Sequence, residues 1–320
     1  MRLGLPAVLL AVLGLSCGSS SGEEVATDVV GFQPYSLSEA PGVIAIKKGG
    51  DAVDYRSSAE PAAIPGLKLR SLLLPVVEAT DGKLLLLDDL NRPEPIVASI
   101  VRCFQGYMCQ TAAGDVVEPV AAGTTSLRDF PAIRGATTCD GLYCLVGGRA
   151  VALDGVRPEI SGAIIDVVAV LWTGFGSPLY GGGGYAFLRA DGSVATAGWD
   201  FEKTYVTEIT GLPPIRKIHR GGIYEDYSGH MWYVGVAPEG WADNLIPEEV
   251  PRRQCQVKPG KKLSPLDVPC VGPTMLPALE GTLPQVIDND AFIPVFYAID
   301  KEGTLRCWSA PGGPACVKGE

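Results

Sequence analysis

Tyr185-Ala-Phe-Leu-Arg-Ala-Asp-Gly192-Ser-Val-Ala-Thr-Ala-Gly198 reads as two short apolar strands joined by a tight turn that contains Gly192. Six more stretches have this form. Their turn glycines are Gly50 after Val43-Ile-Ala-Ile46, Gly82 after Val76-Val-Glu-Ala79, Gly114 after Cys109-Gln-Thr111, Gly148 after Cys144-Leu-Val146, Gly229 after Tyr224-Glu-Asp226 and Gly303 after Tyr297-Ala-Ile299. A hairpin repeated along a chain implies a repeat fold, in which each unit buries its apolar faces only against its neighbours.

Successive turn glycines lie 32, 32, 34, 44, 37 and 74 residues apart. Steps of this size hold three or four short strands, the content of one propeller blade, and are too irregular for a β-helix. Upstream of several hairpins lies a further apolar run: Leu67–Leu73, Ile96–Val101, Ile164–Val170, Ile215–Ile218 and Gln285–Ile287. Continuous β-branched runs suit strands covered on both faces, so each is expected as the innermost strand of a blade. Exposed sheet edges invite aggregation, which favours a closed ring, with Val25–Phe32 pairing onto the last blade. The fold class is therefore all-β, a β-propeller of seven blades. A Pro-rich loop insertion is expected at about 236–280, before the last blade, because eight prolines from Pro238 to Pro277 oppose regular central strands.

The stretch quoted first, preceded by Val167-Val-Ala-Val170 and Gly181–Gly184, resembles the repeat of the regulator of chromosome condensation family. Tyr297-Ala-Ile-Asp-Lys-Glu-Gly-Thr-Leu-Arg-Cys-Trp308 is similar. The resemblance implies a seven-bladed propeller of a kind that bacteria also export. Only the fifth and sixth hairpins end on the family's Gly, at Gly198 and Gly235; the seventh has Ser309, and the Gly-Gln-Leu-Gly segment is missing throughout.

Met1-Arg2 followed by Leu3–Leu15 combines one positive charge with an apolar core too short to span a bilayer, the pattern of a signal peptide over residues 1–16. Its end, Leu13-Gly-Leu-Ser-Cys17, resembles the bacterial lipobox, which implies acylation of Cys17. Residues 17–24 then form a flexible polar tether, and 25–320 the propeller. With Gly18 rather than Asp after the Cys, the resemblance points to the outer membrane more than the inner. Nine cysteines leave eight once Cys17 is set aside: Cys103, Cys109, Cys139, Cys144, Cys255, Cys270, Cys307 and Cys316. Four sequence-local disulfides are the simplest pairing, and they require an oxidising, exported compartment.

The net charge of −10, or −11 once Arg2 leaves with the signal, disfavours a broad surface for nucleic acid. A basic stretch, Arg252-Arg253 with Lys258, Lys261 and Lys262, reads as a solvated loop. No cofactor or metal motif stands out. Cys-x2-Cys spacing is missing, and Asp288-Asn-Asp290 lacks the Gly and distal Glu of a calcium loop.

Two histidines bound the catalytic options. His219 and His230, with Glu225 and Asp226 between them, could meet through adjacent strands as a site for an envelope enzyme of hydrolase or lyase type. The preferred expectation is a non-enzymatic binding or scaffold propeller, held to the membrane through acylated Cys17. Its partner is an envelope or extracellular protein or glycan. Trp172, Phe175, Tyr180, Trp199 and Trp241, all in or beside long connectors, are the candidate binding-face aromatics.

Overall fold

The computed structural model describes residues 22–317 apart from 38–39, 57–58, 88–92, 97–98, 105–107, 120–128, 142, 156–159, 161, 171–183, 200–203, 238–244, 248, 255, 259–260, 263–268, 288–293 and 310–315. Cys17 and its tether up to residue 21 lie outside the described residues.

Strand β1 (Glu23–Ala26) stands apart from the blade that follows it. Blade 1 is built from β2 (Val29–Leu37), β3 (Ala40–Lys47), β4 (Asp51–Arg56) and the first half of β5 (Ala59–Leu73). The second half of β5 opens blade 2, which continues through β6 (Val76–Ala79), β7 (Leu84–Leu87) and β8 (Pro93–Pro95). Blade 3 comprises β9 (Ile100–Cys103), β10 (Cys109–Thr111), β11 (Asp115–Val117) and β12 (Asp129–Arg134). In blade 4, β13 (Thr138–Asp140), β14 (Tyr143–Val146) and β15 (Arg149–Ala152) are joined by a single bridge from Ala150 to Ile160.

Blade 5 has β16 (Ile164–Val170), β17 (Gly184–Arg189), β18 (Val194–Trp199) and β19 (Thr204–Glu208). Blade 6 runs β20 (Ile215–His219), β21 (Ile223–Asp226) and β22 (Met231–Val236). Before its fourth strand come β23 (Arg253–Gln254) and a small hairpin, β24 (Gln256–Lys258) with β25 (Lys261–Lys262). That fourth strand is β26 (Pro269–Met275), paired with β22 on one side and β23 on the other. Blade 7 is β27 (Leu283–Ile287), β28 (Val295–Ile299) and β29 (Leu305–Ser309), and its fourth strand is β1.

The ring therefore closes through β1, by the pairs Glu23↔Cys307 and Ala26↔Leu305. Only Glu23–Ala26 does this. The rest of the expected closing stretch, from Val29, is the first strand of blade 1, because Asp28 at φ 56° turns the chain inward. Seven apolar clusters fill the seven inter-blade seams, one to each. At the closing seam Val25 and Ala26 of β1 and Val295, Tyr297 and Ile299 of β28 pack on Val29, Phe32, Val43 and Tyr55 of blade 1. With no free end to the stack, no seam is left open to water.

The turn glycines explain the repeat. All seven, from Gly50 to Gly303, have φ between 78° and 90°, a region that L side chains avoid. In six of the turns the glycine N–H donates to the carbonyl three residues back, as a type I turn followed by a glycine bulge requires. Five of the seven turn glycines also accept a bond from the next blade or the link into it: Val29 N–H to Gly303, Leu69 to Gly50, Gly135 to Gly114, Ile164 to Gly148 and Ile215 to Gly192, at 2.7–3.2 Å. At three of them a side chain would crowd the neighbouring blade: a Cβ would stand 3.3 Å from the Leu69 oxygen at Gly50, 3.0 Å from Pro214 at Gly192 and 2.9 Å from the Val29 oxygen at Gly303.

The Pro-rich stretch does not behave as a loop throughout, since β26 falls inside 236–280. Pro269 is its first residue, and Pro273 sits where the register slips between Gly235↔Val271 and Tyr233↔Thr274. Strand starts and bulges are where a missing N–H breaks no ladder bond. Disulfides join Cys103 to Cys109 and Cys139 to Cys144 across adjacent strands, and Cys307 to Cys316 at the closing blade. Cys270 is also disulfide-bonded; Cys255 lies outside the described residues.

Candidate functional site

The two faces of the ring are unequal. One face carries the glycine turns and the short links into each next blade, such as Gly135–Thr137 and Ile209–Pro214. The strands that flank the remaining connectors, among them 104–108, 118–128, 171–183, 200–203, 237–268 and 288–294, have those ends on the opposite face. Trp172, Phe175 and Tyr180 belong to the β16–β17 connector, and Trp241 to the β22–β26 connector, outside the described residues. Trp199 ends β18, where the β18–β19 connector begins; its side chain is outside them too. Arg252, expected in a solvated basic loop, is half-buried and donates to the carbonyl oxygens of Ala237, Ile246 and Val250 at 3.2–3.5 Å. It is a structural tie within that connector.

The two histidines do not share a site. Glu225 and Asp226 are consecutive in β21, so their side chains leave opposite faces of the blade. On the face toward blade 7, beside Ile223, Met231 and Tyr233, buried His219 meets Glu225 through Nε2 at 3.1 Å, and Arg216 Nη2 donates to the other Glu225 oxygen. On the face toward blade 5, with Tyr224 and Trp232, Asp226 accepts from Trp232 Nε1 at 3.0 Å and lies 3.2 Å from His230 Nδ1. The backbone N–H groups of Ser228 and His230 also donate to Asp226, closing the turn at Gly229.

Burial, helped by the charge of Lys217, pushes the His219 imidazole below its ordinary pKa against the pull of Glu225. Burial works to raise the Glu225 carboxyl, but the bonds from Arg216 and His219 prevail and hold it low. Burial likewise opposes ionisation of Asp226, and four donated bonds outweigh it. Asp226 accepts four bonds and Glu225 two, and each carboxylate ties together strands or the turn of blade 6. Among the described residues no group of three or more His, Cys, Asp or Glu could hold a metal ion, and no helix is long and apolar enough to cross a membrane.

Around the central channel, the first strands touch in sequence, β13 with β16, β16 with β20, β20 with β27 and β27 with β2. A belt of bonds crosses blade to blade near the connector face. Ala169 N–H donates to Asp140 Oδ2, Gly221 N–H to the Ala169 carbonyl, and Val286 N–H to the Arg220 carbonyl. Gln285 Nε2 then donates to the Phe32 carbonyl, and Leu74 N–H to Gln33 Oε1. The belt thus runs from blade 4 through blades 5, 6, 7 and 1 to blade 2. Among the described residues, Asp140 Oδ1, Arg220 Nη1 and Gln285 Oε1 are buried side-chain atoms with no hydrogen-bond partner.

No family model matches the sequence, and no curated protein does. Solved structures do resemble it. A structure of BBS1N in complex with ARL6DN matches at 12% identity over 93% of this chain and 95% of that one, with a TM-score of 0.45. One of Kap60 bound to yeast RCC1 (Prp20) matches at 12% over 85% and 70%, with a TM-score of 0.35. YCF48 bound to D1 peptide matches at 10% over 96% and 99%, at 0.34. The propeller architecture here rests on the strand pairing and ring closure already described.

The sequence pattern missed a second repeat. In blades 1, 2, 3, 5 and 6 the first strand carries a bulge one residue after its start, at Val30, Arg70, Val101, Ile165 and Arg216. Each is exposed. Val30, Val101 and Ile165 are among the few large apolar side chains left to solvent, with Leu283 at the start of β27 and Tyr227 in a glycine turn. Four exposed apolar side chains, Val30, Val101, Ile165 and Leu283, and two arginines, Arg70 and Arg216, thus lie near the turn-face starts of the first strands in six of the blades. The signal was available as an unbroken apolar doublet, Val29-Val30, Ile100-Val101 or Ile164-Ile165, where strict alternation fails.

Proposed function

We propose that this is an exported, lipid-anchored cell-envelope propeller that binds an envelope protein or a glycan on its connector face without chemically changing it. The inequality of the faces carries the reading: every long connector, with the candidate aromatics Trp172, Phe175, Tyr180, Trp199 and Trp241, leaves the same side. Loops on a rigid scaffold are where binding residues can vary at little cost to the core. Three disulfides support an oxidising compartment. Kinship of the repeats with the regulator of chromosome condensation type belongs to the same proposal.

The direction of β1 supports the anchor. β29 runs from the Gly303 turn toward the connector face, and β1 is antiparallel to it, so the chain enters β1 from the connector side. Residues 17–22 could extend at most about 20 Å. An acyl chain on Cys17 would then hold the connector face near the bilayer, within reach of partners at the membrane surface.

A second reading places the partner on the turn face, favoured by the exposed side chains of Val30, Val101, Ile165 and Leu283. Crosslinking in the native envelope, followed by partner identification, decides between them. The crosslink should vanish in a Trp172→Ala/Tyr180→Ala/Trp241→Ala variant and persist in Val30→Ser/Ile165→Ser. The opposite result would move the site to the turn face, and recovery of lipid-associated monomer alone would remove the scaffold reading.

A further inference from the structure

We propose that the small hairpin of blade 6, β24 with β25, docks on the anionic head groups of a lipid bilayer and, with the N-terminal tether, fixes which way the ring faces that surface. Charge is segregated within the 237–268 connector. Glu239, Asp243, Glu248 and Glu249 come first and Asp267 comes last, while residues 250–266 hold Arg252, Arg253, Lys258, Lys261 and Lys262 and no acid. Arg252 is taken up by the carbonyl oxygens of Ala237, Ile246 and Val250. The lysines fall in the hairpin.

Folding does not account for that hairpin. β24 and β25 form a two-stranded sheet of their own, in which Lys258 stands directly opposite Lys261 and Gln256 opposite Lys262. An isolated pair of strands is marginal in water, and like charges directly opposite each other weaken it further. An anionic surface turns this cost into a gain, because it attracts the same lysines whose repulsion it screens.

Backbone direction places the hairpin. β26 begins on the connector face, where Cys270 pairs with Val236 at the end of β22. β23 is antiparallel to β26 by the pairs Arg253↔Cys270 and Gln254↔Pro269, so the chain leaves β23 on that face, forms the hairpin and returns to the same face at Pro269. β23 and β26 are the outer strands of blade 6, and β1 is the outer strand of blade 7. The hairpin and the entry of the tether into β1 therefore lie on one face, at the outer edges of neighbouring blades. A net charge of −10 opposes approach to an anionic bilayer, but such repulsion is screened beyond about 8 Å at physiological salt, and lysines grouped in one hairpin act within that distance. The choice of a bilayer as the anionic surface rests on the anchored reading above.

Vesicle sedimentation tests the assignment. The mature chain, residues 17–320 with Cys17→Ser so that no acyl group contributes, should bind vesicles of phosphatidylglycerol and phosphatidylcholine in equal parts but not vesicles of phosphatidylcholine alone. A basic residue near such a surface is worth about fivefold in partitioning, so Lys258→Gln/Lys261→Gln/Lys262→Gln should lower it about 100-fold. Lys48→Gln/Lys83→Gln/Lys301→Gln changes the net charge equally, at exposed positions in or beside glycine turns on the other face, and should lower it less than about threefold. Circular dichroism confirms that both variants fold. Equal binding to the two kinds of vesicle, or equal losses in the two variants, would overturn the proposal. So would competition by soluble polyglutamate as effective as that by phosphatidylglycerol, which would make an acidic protein the partner. Cys17 takes no part in the assay, so a failed anchor leaves the vesicle binding intact, whereas a failed hairpin abolishes it.

Discussion

Gly303→Ala and Gly82→Ala form a matched pair that isolates what the turn glycines do between blades. The two have almost the same backbone, φ +88° and +85°, so each alanine meets the same left-handed penalty of about 1–2 kcal/mol. Their surroundings differ. A Cβ on Gly82 meets nothing within 4 Å, whereas one on Gly303 lies 2.9 Å from the Val29 oxygen and 3.4 Å from its nitrogen. Relieving that contact must displace blade 1 at the ring closure and stretch the 2.8 Å bond from Val29 N–H to the Gly303 carbonyl.

Overpacking of this kind adds about 1–3 kcal/mol, and a weakened hydrogen bond adds roughly 1 more. Gly82→Ala is therefore expected to cost about 1–2 kcal/mol and Gly303→Ala roughly 3–6. Gly192→Ala falls between them, because its Cβ would meet Pro214 at 3.0 Å and the Ile215 nitrogen at 3.1 Å. Urea unfolding followed by circular dichroism measures the series, and hydrogen exchange at the Val29 amide shows whether the loss is local to the seam. Equal destabilisation of Gly82→Ala and Gly303→Ala would mean that the turns act one at a time and that the inter-blade bonds carry no weight.

Burial pushes the Asp166 carboxyl up to about 6. A raised acid pKa stabilises the fold below the unfolded value near 4 and loses that contribution as pH climbs toward 6, so Asp166→Asn should flatten this slope and be more stable than the parent at pH 7. Thermal melts across that range check it, and an unchanged slope would assign the titration elsewhere. Replacing Cys307 and Cys316 together by Ser should cost roughly 2–3 kcal/mol, given their separation of 9 residues, and loosen the β1–β29 closure first. A double-mutant cycle of His219→Asn and His230→Asn should show coupling below about 0.5 kcal/mol, since the pairs sit on opposite faces of one blade. Coupling well above that would restore a shared site.

Much of this architecture was legible because its punctuation is chemical. A position that demands positive φ takes Gly seven times over, and a strand covered on both faces takes Val and Ile, as in Ile164–Val170. What escaped was set by partners distant in sequence. Glu225-Asp226 looked like one acidic site for two histidines, but strand alternation sends consecutive residues to opposite faces. The prolines of 236–280 looked prohibitive, yet Pro269 and Pro273 fall at the two kinds of place a strand accepts them. Asp140, Gln33 and Gln285 gave no local sign, because their bonds run to Ala169, Leu74 and Phe32 on other blades.

Two hoops of hydrogen bonds explain why one face is free to vary. At the turn face, five glycine carbonyls receive an N–H from the next blade or the link into it. Toward the other end, the belt from Asp140 to Leu74 ties blades 4, 5, 6, 7, 1 and 2 around the channel. Both hoops are made by strand ends, tight turns and inner-strand side chains, and neither uses the long connectors at 171–183, 200–203 or 237–268. Replacing the candidate aromatics of those connectors should therefore leave stability nearly intact, although Ala237, Leu245 and Ile246 of 237–268 belong to the core, whereas Gln33→Leu, at a position 3% exposed, should cost about 1–3 kcal/mol by orphaning the Leu74 N–H. Comparing that loss with the response to Trp241→Ala in the same unfolding assay separates scaffold from binding surface. A connector variant that destabilises as much as Gln33→Leu would show that the connectors hold the ring, and the division of labour between the faces would fail.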